Sequence, residues 1–214
     1  MHRTPFKNLV PPGPPLRLVE QRAALLVVDF QVFAAERSAG PGRLAAERGI
    51  EDELDEYYAQ VAFARRNVRD LLGAFRASRL PVLFTRRLAP AGTAPPWVPA
   101  ADDATAAILP ELAPVAGEAV VTRAAASPFA GGRLDAALAA TGARALVVAG
   151  AVLGDAVDCA VRDSAERGLA VVLVPDACAA ETWALHECLT SQLAGGLVRV
   201  RPTEAVLAML GGDA

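Results

Sequence analysis

Six short apolar segments, separated by longer amphipathic ones, constrain the fold of this chain most. Each has the length of a strand, and most are rich in β-branched residues: 24–30, 81–87, 118–123, 144–150, 169–177 and 196–201. Their nearly continuous apolar character is typical of strands buried on both faces. The segments between them have helical patterns, at 52–79, 131–141, 155–168, 182–195 and 203–210. This alternation predicts an α/β fold: a three-layer, doubly wound (Rossmann-like), mainly parallel sheet of six strands with helices on both faces.

The domain organisation follows from length and from the proline-rich start of the chain. With 214 residues, of which 53% are hydrophobic, the chain can bury one sizeable core. We therefore expect a single domain over residues 21–214, preceded by an extended N-terminal arm at residues 1–20. The Pro/Ala/Gly stretch at 89–101 predicts a surface loop.

Charge and composition exclude several classes of function. A net charge of -3 without a basic run gives no reason to expect nucleic acid as a partner. No apolar segment is long enough to cross a bilayer, and the first residues lack the apolar core of a signal peptide. The three cysteines have no disulfide or metal spacing, so a reducing cytoplasm is expected: Cys159, Cys178 and Cys188.

Cofactor sites are not indicated. The two histidines, His2 and His186, lack the spacing of zinc ligands, and no glycine-rich phosphate loop follows the first strand. We therefore expect no metal and no bound cofactor, and a small molecule as the binding partner.

Polar side chains stand where the predicted strands end. In open parallel sheets, ligands bind beyond the carboxyl ends of the strands, so these residues are expected to line one crevice. They are Asp29, Gln31 and Phe33 after the first strand, Arg86 and Arg87 after the second, Arg123 after the third, Gly150 and the Leu153–Ala156 segment after the fourth, and Asp176 after the fifth. An aspartate and an arginine on different strands, Asp29 and Arg123, are the pair that we expect to meet.

Four segments carry a resemblance to a known family. They read ALLVVDFQ (24–31), VVTRAAASPF (120–129), LVVAGAVLGDAVDCAVRDSAERGLAVVLVPDACAA (146–180) and ETWALHECLTSQLA (181–194). In this order and at these separations, they resemble the motifs of the isochorismatase-like hydrolases, also called the cysteine hydrolase superfamily. The resemblance covers nearly the whole chain from residue 22 and implies that fold. It also implies a homodimer or a homotetramer, since relatives commonly form them.

The family's usual triad is aspartate, lysine and cysteine, and the resemblance carries these onto Asp29, Arg123 and Ala156. Ala156 has no nucleophile, so the family's thioester route is closed at that position. Arg123 stays protonated and cannot exchange a proton as a lysine can, but it can grip a carboxylate with two parallel hydrogen bonds. A neighbouring arginine is expected to lower the pKa of Asp29, which would make this aspartate an ionised base rather than an acid.

Three other interpretations of these positions stay open. True isochorismatases also lack the cysteine and are thought to protonate a vinyl ether from the aspartate, a role that Arg123 makes harder. Asp29 and Arg123 can also form an ion pair with a purely structural role. Cys159 lies one helical turn beyond Ala156, about 5 Å away, and is interpreted as a packing residue rather than a substitute nucleophile.

A further set of residues is expected to bind substrate: Gln31, Phe33, Arg87, Trp97, Phe129, Val152, Leu153 and Asp155. The three aromatic residues would form an apolar wall. In the family, a cis peptide in the turn after the fourth strand aims N–H groups at an oxyanion, which implies a cis bond at Val152–Leu153. Asp155 either caps the following helix or faces the pocket. The charged stretch 34–60 is interpreted as a solvated helix entry, with a lid as the alternative.

These observations favour an isochorismatase-family hydrolase that acts on a small anionic or carbonyl-containing molecule. Asp29 would activate water and Arg123 would hold the substrate, without a cysteine nucleophile. Two alternatives remain: a family member repurposed for a lyase or isomerase step, and a catalytically silent relative that binds a small molecule or serves as an assembly subunit.

Overall fold

Six strands form one sheet in a computed structural model, which describes residues 9, 15–90, 95–195 and 198–211. The strands are β1 (Ala24–Val28), β2 (Val82–Arg87), β3 (Ala119–Arg123), β4 (Ala145–Ala151), β5 (Ala170–Ala179) and β6 (Val198–Val200). Their order across the sheet is β3-β2-β1-β4-β5-β6, and every neighbouring pair is parallel. The predicted parallel, six-stranded α/β sheet is confirmed.

Helices connect the strands. The described residues contain α1 (Val32–Ala35), α2 (Gly40–Arg48), α3 (Asp55–Ala77), α4 (Arg133–Thr141), α5 (Asp158–Glu166), α6 (Trp183–Leu193) and α7 (Thr203–Gly211). A single π-helical turn, Leu153–Val157, leads from β4 into α5. Short 3-10 turns lie at Glu51–Leu54, Ala104–Ala106 and Pro110–Leu112.

The sheet separates two hydrophobic cores, because successive side chains of a strand point to opposite faces. From β1, Leu25 and Val27 pack with residues of α3 and α7 on one face. Leu26 and Val28 pack with residues of α4 and α5 on the other face. Both faces are thus covered, which explains why the strands are apolar at almost every position.

The order of the strands reverses between β1 and β4, and this junction is where open α/β sheets bind ligands. Gly150 stands opposite Val28 at the end of this pair. Its φ is +149°, and a Cβ there would lie 2.2 Å from the carbonyl oxygen of Val28. A glycine is therefore required for β4 to approach the end of β1 so closely.

The helix α2 is not predicted by the sequence. It begins with Gly40, Pro41 and Gly42, which disfavour a helix in its interior, yet a proline is compatible with the first turn. The helix predicted at 52–79 begins at Asp55, because a 3-10 turn precedes it.

Some predicted segments lie partly outside the described residues: most of the arm at 1–20, positions 91–94 of the loop and positions 196–197 of the last strand. The described end of the arm packs on the domain, since Leu18 is buried in the core beside α3. The boundary between arm and domain stays a prediction. Within the described ranges, the helices are all too short or too polar to pass through a membrane.

Candidate active site

Asp29 follows the last residue of β1 at the junction between β1 and β4. Its backbone adopts a positive φ of 50°, a conformation that aspartate tolerates better than most residues. The strand ends here, and the residue is only 3% exposed. The carboxyl group is therefore inside the protein, at the carboxyl edge of the sheet.

The carboxyl group of Asp29 has two side-chain partners from neighbouring strands. Nη2 of Arg123 donates to Oδ2, and the hydroxyl of Thr85 donates to Oδ1 over 2.6 Å. The sequence predicts the pair of Asp29 and Arg123, and the structure brings these two side chains together. It does not predict Thr85, although Thr85 lies two residues before Arg87 and therefore on the same face of β2.

Arg123 also fixes the loop after β3. Its Nη1 donates to the carbonyl oxygens of Ala125 and Ala126. Nε is buried and has no hydrogen-bond partner among the described residues. Because Arg123 is only 5% exposed, this N–H is an unused donor inside the site.

The electrostatic environment of Asp29 differs from the expectation. Burial raises the pKa of Asp29 above its ordinary value, and Arg123, Thr85 and Arg87 offset only part of that rise. The prediction of a lowered pKa was wrong, because the loss of hydration around the carboxylate outweighs the neighbouring cations. A raised pKa of Asp29 lies closer to neutral pH, and a carboxyl group exchanges protons most effectively when its pKa is near the pH of the solution.

A second arginine stands beside Arg123. Arg87 on β2 lies opposite Arg123 in the register with β3. Its Nη1 donates a hydrogen bond to Oδ2 of Asp155 in the turn after β4. The side chains of Arg87 and Asp155 are 22% and 36% exposed, so this ion pair is partly open to solvent. Asp155 was expected either to cap the following helix or to face the pocket. Its carboxylate bonds to Arg87, so helix capping alone does not account for its position.

Gln31 holds the backbone of Arg87. The side-chain oxygen accepts from Arg87 N over 2.6 Å, and Nε2 donates to Arg87 O over 3.1 Å and to Ala106 O over 2.8 Å. Gln31 is fully buried, and its amide is engaged with backbone groups on both sides. Its geometry positions Arg87, while a direct contact with substrate stays a prediction.

The turn after β4 contains a cis peptide bond at Ala151–Val152. The sequence places it at Val152–Leu153, so the expectation was wrong by one residue. The cis bond follows directly on the last residue of β4, Ala151. Leu153 is fully buried, and Val152 is half-buried against the core beside α3.

Ala156 lies on the π-helical turn and is 1% exposed, packed with residues of the core beside α5. The nearby thiols are not activated. Burial and the carboxylates Asp158, Asp155 and Asp163 raise the pKa of Cys159, and Arg123 opposes them only partly. Burial raises the pKa of Cys178 to about 12. Both thiols are protonated near neutral pH, which weakens them as nucleophiles.

The predicted aromatic wall is dispersed over different surroundings. Phe33 is buried next to Gly40, whose hydrogen-only side chain leaves room for it. Phe129 is buried below the guanidinium of Arg167, which lies 4.1 Å from the ring centre. Trp97 is 41% exposed. Packing accounts for Phe33 and Phe129, and contact of the three residues with substrate stays a prediction.

The charged segment 34–60 is anchored to α3. Tyr57 donates to the carbonyl oxygen of Ala34 over 2.8 Å, and Arg37 pairs with Asp55 over 2.7 Å while its guanidinium covers the ring of Tyr58. These contacts favour the simple interpretation of a solvated helix entry over a mobile lid.

A known family pattern covers most of the chain. The sequence profile described as isochorismatase domain matches residues 23–205, which include all six strands and the residues around Asp29. This chain belongs to the isochorismatase family. The protein is accordingly an isochorismatase-family hydrolase, as the segments quoted above predict.

Individual members of the isochorismatase family resemble the chain over similar lengths. A secreted isochorismatase effector of Verticillium dahliae is 29% identical over 164 residues, which is 77% of this chain and 76% of that protein. The structure of an isochorismatase from Pseudomonas putida superimposes with a TM-score of 0.71 at 25% identity, covering 91% of this chain and 93% of that one. A cysteine hydrolase from Pseudomonas syringae shares the fold, with a TM-score of 0.78 at 20% identity over 95% and 99% of the chains.

Two further expectations about this isochorismatase-family member concern metals and location. No group of three or more potential metal ligands occurs within the part of the chain that the structure describes. His186 contacts the carbonyl oxygen of Pro175 through Nε2 over 2.9 Å, a structural bond within the domain. A cytoplasmic location and a homo-oligomeric state stay predictions.

Proposed function

We propose that this family member hydrolyses a small anionic or carbonyl-containing molecule by activating water at Asp29, without a thiol nucleophile. The observation that carries the proposal is the position of Asp29, a buried carboxyl group bonded to Thr85 and Arg123 at the junction of β1 and β4, where burial raises its pKa. A carboxyl group in this state can accept a proton from water and hold it during the reaction.

The carboxylate of Asp29 can accept further hydrogen bonds, including one from such a water molecule. Each carboxylate oxygen has two lone pairs, and each accepts one described side-chain bond, from Thr85 or from Arg123. The remaining lone pairs can orient water. The proton passes from water to the Asp29 carboxylate as the water oxygen bonds to the carbonyl carbon. Asp29 then returns the proton to the leaving group as the bond between that carbon and the leaving group breaks, while Arg123 keeps its charge throughout. General base catalysis of this kind contributes about 10²- to 10⁴-fold in rate.

The substrate would be held by the two arginines. Arg87 is the more exposed of them and can donate to a carboxylate in two parallel bonds. Arg123 adds its unused Nε donor, which suits a carbonyl or carboxylate oxygen that enters the crevice. We propose Arg87 as the anchor of the substrate and Arg123 as a donor near the reacting group.

One observation favours the alternative of a silent relative that only binds a small molecule. Asp29, Arg123 and Ala156 are each at most 5% exposed. The ion pair of Asp29 and Arg123 can therefore serve stability alone. Measured turnover distinguishes a hydrolase from a relative that only binds a small molecule.

The test uses Asp29→Asn and, as its matched control, Asp135→Asn, which removes the charge of a partly exposed aspartate on α4 that pairs with Arg167. Isochorismate and a panel of small carboxylated esters and amides serve as substrates. Under the proposal, wild-type protein and Asp135→Asn turn over at least one substrate, and Asp29→Asn loses about 10²- to 10⁴-fold in kcat. Circular dichroism verifies the fold of each variant.

The outcome that contradicts the proposal is binding without turnover by the wild-type protein, which supports the silent relative. The pH profile separates water activation from proton donation by Asp29. If Asp29 acts as a base, it must be ionised, so kcat/KM rises as the pH rises through its raised pKa. If Asp29 acts as an acid, it must be protonated, so kcat/KM falls over the same pH range.

A further inference from the structure

Two positive charges lie side by side in the candidate site, each matched by its own carboxylate. Arg87 and Arg123 are partners in the register of β2 and β3, which are adjacent parallel strands. Their side chains leave the same face of the sheet. Arg123 is bonded to Asp29, and Arg87 to Asp155. Without these carboxylates, two neighbouring guanidinium groups would repel each other in a partly desolvated crevice.

The two carboxylates differ in their ability to leave. Asp29 has a side chain that is 4% exposed and accepts from Thr85 as well as Arg123. Asp155 has a side chain that is 36% exposed and accepts a hydrogen bond from Arg87. Its backbone interrupts the π-helical turn with φ of −124° and ψ of −106°. The Asp155 carboxylate can therefore turn toward water, whereas the Asp29 carboxylate cannot.

The backbone of the exposed arginine is held in place. Gln31 fixes both the N–H and the carbonyl oxygen of Arg87, so the point from which its side chain starts does not move when Asp155 leaves. Arg87 is also close enough to Asp29 to lower its pKa. A group bound to Arg87 in place of Asp155 would therefore lie near Asp29.

We propose that Asp155 is a built-in counter-ion, which a substrate carboxylate displaces from Arg87, and that this exchange selects anionic substrates. The inference rests on the proposed function only in taking this crevice as the substrate site. A carboxylate replaces the charge of Asp155 one for one and leaves Arg87 balanced. A neutral molecule cannot replace this charge, so Asp155 stays bound to Arg87 in its presence.

Asp155 thus sets the affinity for anions by competition. It lowers the affinity for every anion, because each must first break the bond with Arg87. It leaves the affinity for neutral molecules nearly unchanged, because they do not compete for Arg87. Removal of the carboxylate should therefore strengthen the binding of anions and leave that of neutral analogues nearly unchanged.

The experiment compares benzoate with benzamide, a neutral analogue of similar shape, as binding probes in isothermal titration calorimetry. Asp155→Asn keeps the size of the side chain and removes its charge. The matched control is Asp158→Asn on α5, which removes the charge of an aspartate paired with Arg162 one turn away. Arg87→Gln removes the proposed anchor.

We expect Asp155→Asn to bind benzoate about 3- to 10-fold more tightly than the wild-type protein, with benzamide affinity unchanged and Asp158→Asn like the wild type. The gain should shrink as salt concentration rises, and Arg87→Gln should lose the preference for benzoate over benzamide. Equal benzoate affinity in Asp155→Asn and the wild type, an equal gain for benzamide, or no benzoate binding by any variant would overturn the proposal.

This outcome is independent of turnover. Loss of hydrolysis together with the expected benzoate pattern would contradict the proposed function and support the counter-ion. Hydrolysis without the expected benzoate pattern would support the proposed function and contradict the role of Asp155 as a counter-ion.

Discussion

The hydroxyl of Thr85 donates a hydrogen bond of 2.6 Å to Oδ1 of Asp29, joining the ends of β2 and β1 inside the protein. This bond and the ion pair with Arg123 favour the ionised carboxylate, while burial favours the protonated form. The proton affinity of Asp29 is therefore a balance of opposing effects, and single substitutions should shift it in a known direction.

Replacement of Thr85 by valine should raise the pKa of Asp29 further, because a stabilising donor to the carboxylate is lost while the shape of the side chain is kept. The measurement is an NMR titration of the carboxyl carbons of ¹³C-labelled aspartate. Thr122→Val serves as the control, since Thr122 accepts from Arg86 on the other face of the sheet. A lowered or unchanged pKa in Thr85→Val would show that this bond does not favour the carboxylate.

The stability of the protein should depend on pH through Asp29. Burial raises the folded-state pKa of Asp29 above its ordinary value of 3.8, so between these two values the folded state binds more protons than the unfolded chain. The resulting contribution to the free energy of unfolding is fully present below the ordinary value and is lost as pH rises through the folded-state pKa. Urea denaturation across this window should show a negative slope that Asp29→Asn lacks; identical slopes in the two proteins would contradict the expectation.

The two members of the buried ion pair should differ in what their removal costs. Asp29→Ala leaves a buried arginine that cannot lose its charge, which costs about 3–5 kcal/mol in the free energy of unfolding. Arg123→Met should cost less, because Asp29 can take up a proton. The double variant should be more stable than Asp29→Ala alone. Chemical denaturation of the three variants tests this order, and a larger loss for Arg123→Met would reverse the argument.

Alkylation should leave the function intact. Cys188 is exposed, Cys159 is half-buried with a raised pKa, and Cys178 is buried with a pKa of about 12. Iodoacetamide should label Cys188 first, Cys159 slowly and Cys178 only after unfolding, as read by mass spectrometry of peptides. Ligand binding and turnover should survive the labelling of Cys188, with Cys188→Ser as the control. Rapid inactivation that follows the labelling of Cys159 would restore a thiol mechanism.

The close approach of β4 to β1 should make Gly150→Ala strongly destabilising. The substitution imposes a backbone cost of about 1–3 kcal/mol for a positive φ. It adds a similar cost of about 1–3 kcal/mol for the overlap with the carbonyl oxygen of Val28. Gly117 also has a positive φ but open space around its Cβ position, so Gly117→Ala isolates the backbone cost. Equal losses of Tm in the two variants would mean that the contact with Val28 is relieved by movement.

The layout of the fold is readable from the sequence because it depends on periodicity. Alternation of apolar strands with amphipathic helices predicts the parallel sheet, and all six strands overlap their predicted ranges. The helix α2 is not predicted, because it begins with Gly-Pro-Gly, which disfavours a helix interior although proline is compatible with a first turn. The cis peptide bond lies one residue before its expected place, a position that local composition does not mark.

The sequence by itself determined the family, the sheet and the set of strand ends that meet, including Asp29 and Arg123, because these follow from local pattern and motif order. Only the tertiary structure decided the further partners, Thr85 for Asp29 and Asp155 for Arg87, and how Asp29 titrates. The bonds of Asp29 with Thr85 and Arg123 and of Arg87 with Asp155 join residues 56, 94 and 68 positions apart. Such partners are brought together by packing, and the pKa of Asp29 depends on how much water that packing removes.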